Sequence, residues 1–349
     1  MKVLYFGIYN PNYSRNRVLI GGLRKNGVEV SECNVRYHSF FSYLKLFWKY
    51  LFLKKAFDAM IVGFPGQESM LLARLLTRKP IIFDAFTSHY GGYVLDRGKY
   101  GKKSLRAKWY KWLDRKSVKL ANTSLLDTNA HIDFFVNELG LPRDKFRRIF
   151  VGTDSNVFYP RDVKKNTDKF LVHFHGHFIP LQGVKYIIQA AKILKNENIE
   201  FNIIGNGQTY KVDRELAENL KVQNINFLDS VPYDKLADHI NSADICLGIF
   251  GDTLKTELVI PNKVFEAIAC QKAVITADTK AIRELFNNSL DILLCRCADP
   301  QDLADKIRSL KGDQNLKDKI AQNGYRLFRE ELNEKIITQS LVILLNGLI

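Results

Sequence analysis

Cysteine is scarce in this 349-residue chain, with five residues at 33, 246, 270, 295 and 297. They form no spaced framework for disulfides or a metal, which fits a reducing compartment. The pair Cys295 and Cys297 ends the apolar run Ile292-Leu293-Leu294 and reads as packing. No run of eighteen apolar residues occurs, so no bilayer-spanning helix is expected, and the opening KVLYFGIY is strand-like with no signal-peptide pattern. Acidic residues are in deficit: 37 Asp and Glu stand against 52 Lys and Arg, leaving a net charge of +15. That balance calls for an anionic partner, which could be nucleic acid, an acidic membrane or a phosphorylated small molecule. No helix-turn-helix, zinc or RNA-binding motif accompanies the charge, so nucleic acid ranks below the membrane. An Asp-x-Asp metal pair is also missing, and the Gly-x-Gly turn at 205–207 lacks the further glycine of a dinucleotide fingerprint.

What is present is a globular composition, 46% hydrophobic, sized for two domains of roughly 160 residues. Lys2 to Tyr9 reads as a first strand with Gly7 near its carboxyl end. The polar, basic and aromatic loop 10–17 follows as a candidate ligand rim, then a helix from about Val18 to Asn26 stopped by Gly27, then a second strand at Val28-Glu29-Val30. A βαβ pattern has begun. The stretch from Phe40 to Lys55 is apolar and aromatic over most of a helix surface, with lysines at 45, 49 and 54–55. An interfacial helix with snorkelling lysines and a buried helix edged by lysines both fit it. Between Arg36 and Lys119 there are eighteen Lys or Arg and five Asp or Glu, interleaved with Trp109, Tyr110 and Trp112, which favours contact with anionic lipid. Further strands are expected at 58–63, at 80–84, at 120–123 and at 148–151. His89 falls in the polar, glycine-flanked loop 88–92 beyond a strand end, a position suited to chemistry or acceptor binding and equally to a surface loop histidine. The charged stretch Tyr159 to Lys169 reads as the linker, giving domains 1–162 and 163–330 and a last helical segment 331–349 that could pack back on the first. A cleft between two such domains is the default meeting place for a substrate pair.

The second half repeats strand, glycine turn, helix. Strand 170–176 enters the loop His177 to Gly183, whose glycines let backbone approach a ligand while the next helix offers amides to a phosphate. His173, His175 and His177 alternate, but no nearby carboxylate completes a metal set, so His177 reads as a phosphate or hydroxyl contact or as a satisfied polar group. Gly205-Asn206-Gly207 leaves the next strand, Ser230-Val231-Pro232 another, and Gly251 a fourth. The stretch Pro261-Asn262-Lys263-Val264-Phe265-Glu266-Ala267-Ile268-Ala269-Cys270 then opens a helix between two apolar strands. Its first turn carries a cation and a carboxylate three apart, which suit a phosphate and a pair of sugar hydroxyls. An ordinary helix start stabilised by its dipole carries the same pattern.

Across nearly its whole length the chain resembles the retaining glycosyltransferases of family 4. The most specific part is PNKVFEAIACQKAVI (261–275), supported by HFHGHFIPLQG (173–183), IIGNGQ (203–208), FLDSVPYDKL (227–236), ADICLGIF (243–250) and VGTDSNVFYP (151–160). The resemblance implies an α/β GT-B fold, two Rossmann-like domains with parallel sheets facing across a cleft. It implies a nucleoside diphosphate sugar as donor substrate, no required cofactor and no metal. The acceptor would be a hydroxyl of a lipid-linked or cell-surface glycan, and the place of action the inner face of the cytoplasmic membrane. Glu266 would hold the ribose hydroxyls, with Lys263, Asn262, Gly7, Gly205, Asn206, Gly207 and Val231 around the donor. His177 and Gln182 stand where the family keeps its diphosphate-binding Arg and Lys, leaving Lys263, Arg15 or Arg17 to supply the missing cation. The paired-glutamate motif has Leu258 at its first position, so Glu257 takes that role, and His89 matches the histidine many members hold beside the transferred sugar. These departures keep two alternatives open, a catalytically inactive membrane-associated binding protein and a nucleotide-sugar epimerase of the same shape.

Overall fold

The computed structural model describes residues 1–36, 39, 41–53 and 56–349; Phe40, Lys54 and Lys55 of the aromatic stretch lie outside the described residues. The chain divides into two compact units, Met1–Asp154 with Asn333–Ile349, and Ser155–Leu332. The break falls at Asp154, whereas composition alone put it at 162/163. Side chains tie the stretch read as a linker to the second unit: Arg161 Nη1 meets Asp238 at 2.9 Å, the Arg161 amide donates to Asn241 Oδ1 at 2.9 Å, and Lys165 meets Asp244 at 2.9 Å.

In the first unit β1 (Lys2–Gly7), β2 (Glu29–Asn34), β3 (Ala59–Val62), β4 (Ile81–Phe86), β5 (Thr123–Leu126) and β6 (Phe146–Arg148) form one sheet in the order β2-β1-β3-β4-β5-β6. Every pairing is parallel. Runs such as Ala59-Met60-Ile61-Val62, buried throughout, belong in a sheet with both faces covered. The helix after β1 begins at Ser14, not at 18, and this removes half of the supposed 10–17 rim from the surface. Arg15 and Asn16 are fully buried because the core holds partners for them. Arg15 Nη2 meets Asp84 Oδ1 at 2.9 Å and its Nη1 donates to the carbonyls of Ile149 and Phe150 at 2.8 and 3.0 Å; Asn16 accepts from the Tyr5 hydroxyl at 2.9 Å. Arg15 is thus engaged within the first unit and is no candidate for a diphosphate. Arg17 lies 3.5 Å from Asp154, in the same unit.

The helix Glu334–Asn346 packs along Ser14–Lys25 and makes the end of the chain part of the first unit. Their close approach needs Gly22, where an added Cβ would stand 2.2 Å from the Glu334 carbonyl oxygen. Asn26 Nδ2 donates across the seam to the Lys335 carbonyl at 2.7 Å and to Thr338 Oγ1 at 2.9 Å, and Lys25 pairs with Glu334.

In the second unit β7 (Phe170–His175), β8 (Ile199–Ile204), β9 (Ile225–Leu228), β10 (Ile245–Leu247), β11 (Ala273–Ala277) and β12 (Leu293–Cys295) are again parallel, in the order β12-β11-β10-β7-β8-β9. The chain leaves β7 toward one edge and returns to β10 to build the other. That reversal opens a crevice beyond the carboxyl ends of β7 and β10, the place where open α/β sheets take their ligands. An apolar core of Val172, Phe174, Phe201, Ile203, Leu247 and Ile275, with helix residues such as Ile187 and Ile307, fixes the sheet beneath it.

The buried Arg15–Asp84 pair gives a direct test. Asp84→Ala would leave an enclosed guanidinium without its carboxylate, and we expect a loss of about 3 to 5 kcal/mol, read as a lower denaturant midpoint for the first unit.

Candidate active site

The crevice of the second unit is built from three segments. From β7 come His173 and His175, both buried. After it the chain passes Gly176 and the exposed His177 to a short turn, Pro180–Gln182, and the helix Val184–Ile193. From the loop beyond β10 comes the helix Asn262–Ala269, begun by Pro261 with its fixed φ of −72°. Gly205, after β8, closes the floor: an added Cβ would lie 2.0 Å from the Gly176 carbonyl oxygen, so only glycine lets these two turns touch.

Lys263 and Glu266 both point inward from the first turns of their helix and are 5% and 4% exposed. Lys263 Nζ donates to Gln182 Oε1 and sits over the Phe174 ring, 3.7 Å from its centroid. Glu266 Oε2 lies 2.7 Å from His175 Nε2, and His175 Nδ1 lies 3.0 Å from His173 Nε2. A ring from the helix Tyr233–Ser242, that of His239, stacks over His173 at 6.5 Å. Burial dominates the electrostatics. It pushes Glu266 up to about 7 against the opposing pull of Lys263, drives Lys263 well below the ordinary lysine range, and holds both histidines well below theirs. The imidazoles are therefore neutral at physiological pH, and the His175–Glu266 contact is a hydrogen bond to a neutral ring.

Gln182, Lys263 and Glu266 are brought together here, and Gly205 supports them. Asn262 and Val231 are half-buried at the same sheet end, Asn206 receives the Phe178 amide on its carbonyl at 2.9 Å, and the Gly207 amide donates to Asn206 Oδ1 at 2.7 Å. Glu257 accepts the Lys280 amide on Oε2 at 3.0 Å, and Leu258 is buried beside it. Gly7 and His89 belong to the first unit. Gly7 ends β1 under Ser69, whose hydroxyl accepts from the Ile8 amide at 3.3 Å. His89 does not sit in an open loop. It starts a helical turn, Tyr90–Asp96, because Asp114 from the helix Leu105–Leu120 receives the amides of His89 and Tyr90, each at 3.0 Å, and the Ser88 hydroxyl at 2.6 Å. Its ring lies against Tyr93 and Tyr110, with Nε2 3.5 Å from Glu68.

Sequence reasoning left out Glu68 and Asp114, which carry no local motif. It weighed His175 with its neighbours as a metal ligand, but its carboxylate partner is 91 positions away. Among the described residues no group of three or more His, Cys, Asp or Glu could hold a metal ion.

Residues 157–327 match the family model of the glycosyl transferases group 1. The second unit carries a group 1 glycosyltransferase domain. The N,N'-diacetylbacillosaminyl-diphospho-undecaprenol alpha-1,3-N-acetylgalactosaminyltransferase of Campylobacter jejuni is 25% identical over 266 residues, 72% of this chain and 67% of that protein. The capsular polysaccharide biosynthesis glycosyltransferase CapM of Staphylococcus aureus is 23% identical over 61% of this chain and 54% of its own length. The chain spans about half the length of most of the curated relatives it matches. Anabaena HepE, solved with UDP and glucose, superposes with a TM-score of 0.74 at 15% identity over 100% of both chains. Sucrose-phosphate synthase of Thermosynechococcus elongatus gives 0.77 at 13% identity over 99% of this chain and 98% of its own. At such identities the likeness speaks to fold, and the fold of two parallel six-stranded α/β units is GT-B.

The raised Glu266 has a stability consequence with a definite sign. Its folded pKa lies above the unfolded one, so the protonated form contributes fully below about pH 4.5 and that contribution is lost as pH rises through 7. Glu266→Gln should match the wild type in thermal melts at pH 5 and exceed it at pH 8, by up to about 2 to 3 kcal/mol.

Proposed function

We propose that this chain is a retaining glycosyltransferase that moves a sugar from a nucleoside diphosphate sugar to a hydroxyl of a lipid-linked or cell-surface glycan. The observation that carries the reading is the pairing of Lys263 and Glu266 at the reversal point of the second sheet, inside a group 1 domain. Glu266 keeps one carboxylate oxygen for the ribose hydroxyls. The leaving diphosphate is met by Lys263 and by the amides at the start of its helix, whose dipole favours an anion. A phosphate beside Lys263 also favours the charged form that burial disfavours, so cation and donor stabilise each other. No divalent ion enters the scheme. The acceptor hydroxyl attacks the anomeric carbon on the face the diphosphate leaves. Within the first unit, His89, positioned by Asp114 and Glu68, is the candidate sugar contact.

The acceptor class draws on the Campylobacter and Staphylococcus relatives, whose names specify a diphospho-undecaprenol-linked and a capsular product. It draws also on the surface of the first unit. In the helix Phe41–Phe52, Phe41, Leu44, Trp48, Leu51 and Phe52 are exposed on one stripe, Phe52 at 74%, flanked by exposed Lys45 and Lys49. The helix Leu105–Leu120 repeats this with exposed Leu105, Trp109 and Trp112 beside Lys108, Arg115, Lys116 and Lys119. The helix Gln67–Leu76 packs between them and adds the exposed Leu75. Apolar side chains that project to solvent within a field of lysines suit an anionic bilayer surface. We place the enzyme there, at the cytoplasmic face.

Thermal-shift screening against UDP-, GDP-, ADP- and TDP-sugars should find one donor that raises the melting temperature, and Glu266→Ala should weaken it by roughly one to two orders of magnitude in calorimetry, about 1 to 3 kcal/mol. Unchanged affinity in that variant would remove the role given to Glu266. Separately, the chain should float with vesicles containing phosphatidylglycerol, and Trp48→Ser with Phe52→Ser should leave it in the pellet fraction without altering donor binding.

A further inference from the structure

The carboxylate given to the ribose is not free to choose its proton state. Three buried groups run in a line: Glu266 Oε2 to His175 Nε2 at 2.7 Å, and His175 Nδ1 to His173 Nε2 at 3.0 Å. His173 Nδ1 ends the line, buried and without a hydrogen-bond partner among the described residues. A neutral imidazole has one N–H and one lone pair, so the line can be filled in two ways. With Glu266 ionised, His175 donates to it through Nε2, His173 donates to His175, and the end of the line is a bare lone pair. With Glu266 protonated and donating, every ring flips tautomer and the end becomes a buried N–H with nothing to bind. An unsatisfied donor is the rarer and costlier defect. The line therefore favours His175 as donor and Glu266 as carboxylate.

We propose that His175 is a positioning residue which, set in its tautomer by His173, holds one oxygen of Glu266, aims the other at the ribose, and fixes the pH range in which the donor binds. This rests on the reading of Glu266 as the ribose ligand. The charged and titratable groups around the line are Lys263 on the same helix as Glu266, Cys270 one turn further along it, and His239 from the helix opposite. Of these, Lys263 favours the carboxylate, while burial opposes it, leaving Glu266 near half-ionised at pH 7 and sensitive to a single hydrogen bond.

The test is titration calorimetry of UDP, GDP and ADP with the full chain from pH 5.5 to 8.5, in buffers of different ionisation enthalpy so that protons released on binding are counted. Wild type should bind one nucleotide more tightly as pH rises through about 7, releasing a proton at the acid end. His175→Phe should move the midpoint up by about one unit, roughly fivefold weaker binding at pH 7, and His175→Gln, which keeps a donor, should restore much of it. Nitrogen-15 spectra of the ligand-free protein should place the protons of His173 and His175 on Nε2 at pH 8. A folded His175→Phe with the wild-type midpoint, or rings protonated on Nδ1, would overturn this inference alone. Binding of none of the three nucleotides by wild type would overturn the donor-site reading and this inference with it.

Discussion

The structure depends on a carboxylate and an ammonium held out of water at one sheet reversal. Neither Lys263 nor Glu266 gains from burial, and the surroundings only partly offset the desolvation: Gln182 and the Phe174 face for the cation, His175 for the anion. Groups kept at such a disadvantage behave as a preformed half of an interaction whose other half is a ligand. In the proposed reading a diphosphate and a diol complete it, and the stability withheld in the empty state becomes binding energy in the occupied one.

The surrounding fold serves that arrangement. The order β12-β11-β10-β7-β8-β9 brings β7 and β10 side by side, paired at Val172 and Ile245 although these lie 73 positions apart, so segments distant in sequence face each other across one crevice. Gly205 allows the turns after β7 and β8 to touch, and Pro261 sets the angle at which the helix of Lys263 enters. The first unit shows the same economy of polar burial with a different outcome. Arg15, whose partners are all internal, is structural, while exposed cations crowd two helices beside aromatic side chains.

Much of this was legible in the sequence. Parallel α/β architecture followed from apolar runs punctuated by glycine, and a first helical turn carrying opposite charges after a strand singled out Lys263 and Glu266, which the fold buries. What was not legible had a common cause, a partner far away along the chain. Arg15 looks like a loop cation until Asp84 is placed next to it. His175 looks like one of three alternating histidines until Glu266 arrives. His89 reads as a loop residue because the carboxylate that coils its segment, Asp114, belongs to the following helix. The stretch 159–169 is charged like a linker but spends its charges on the second unit.

The return of Glu334–Asn346 to the helix Ser14–Lys25 means that the second unit is spliced into the first rather than appended to it. During synthesis the opening sheet can form early, yet the groove along Ser14–Lys25 stays uncovered until the whole second unit has left the ribosome. The unit that is made first is finished last, and a nascent chain must shield that seam while its other half folds.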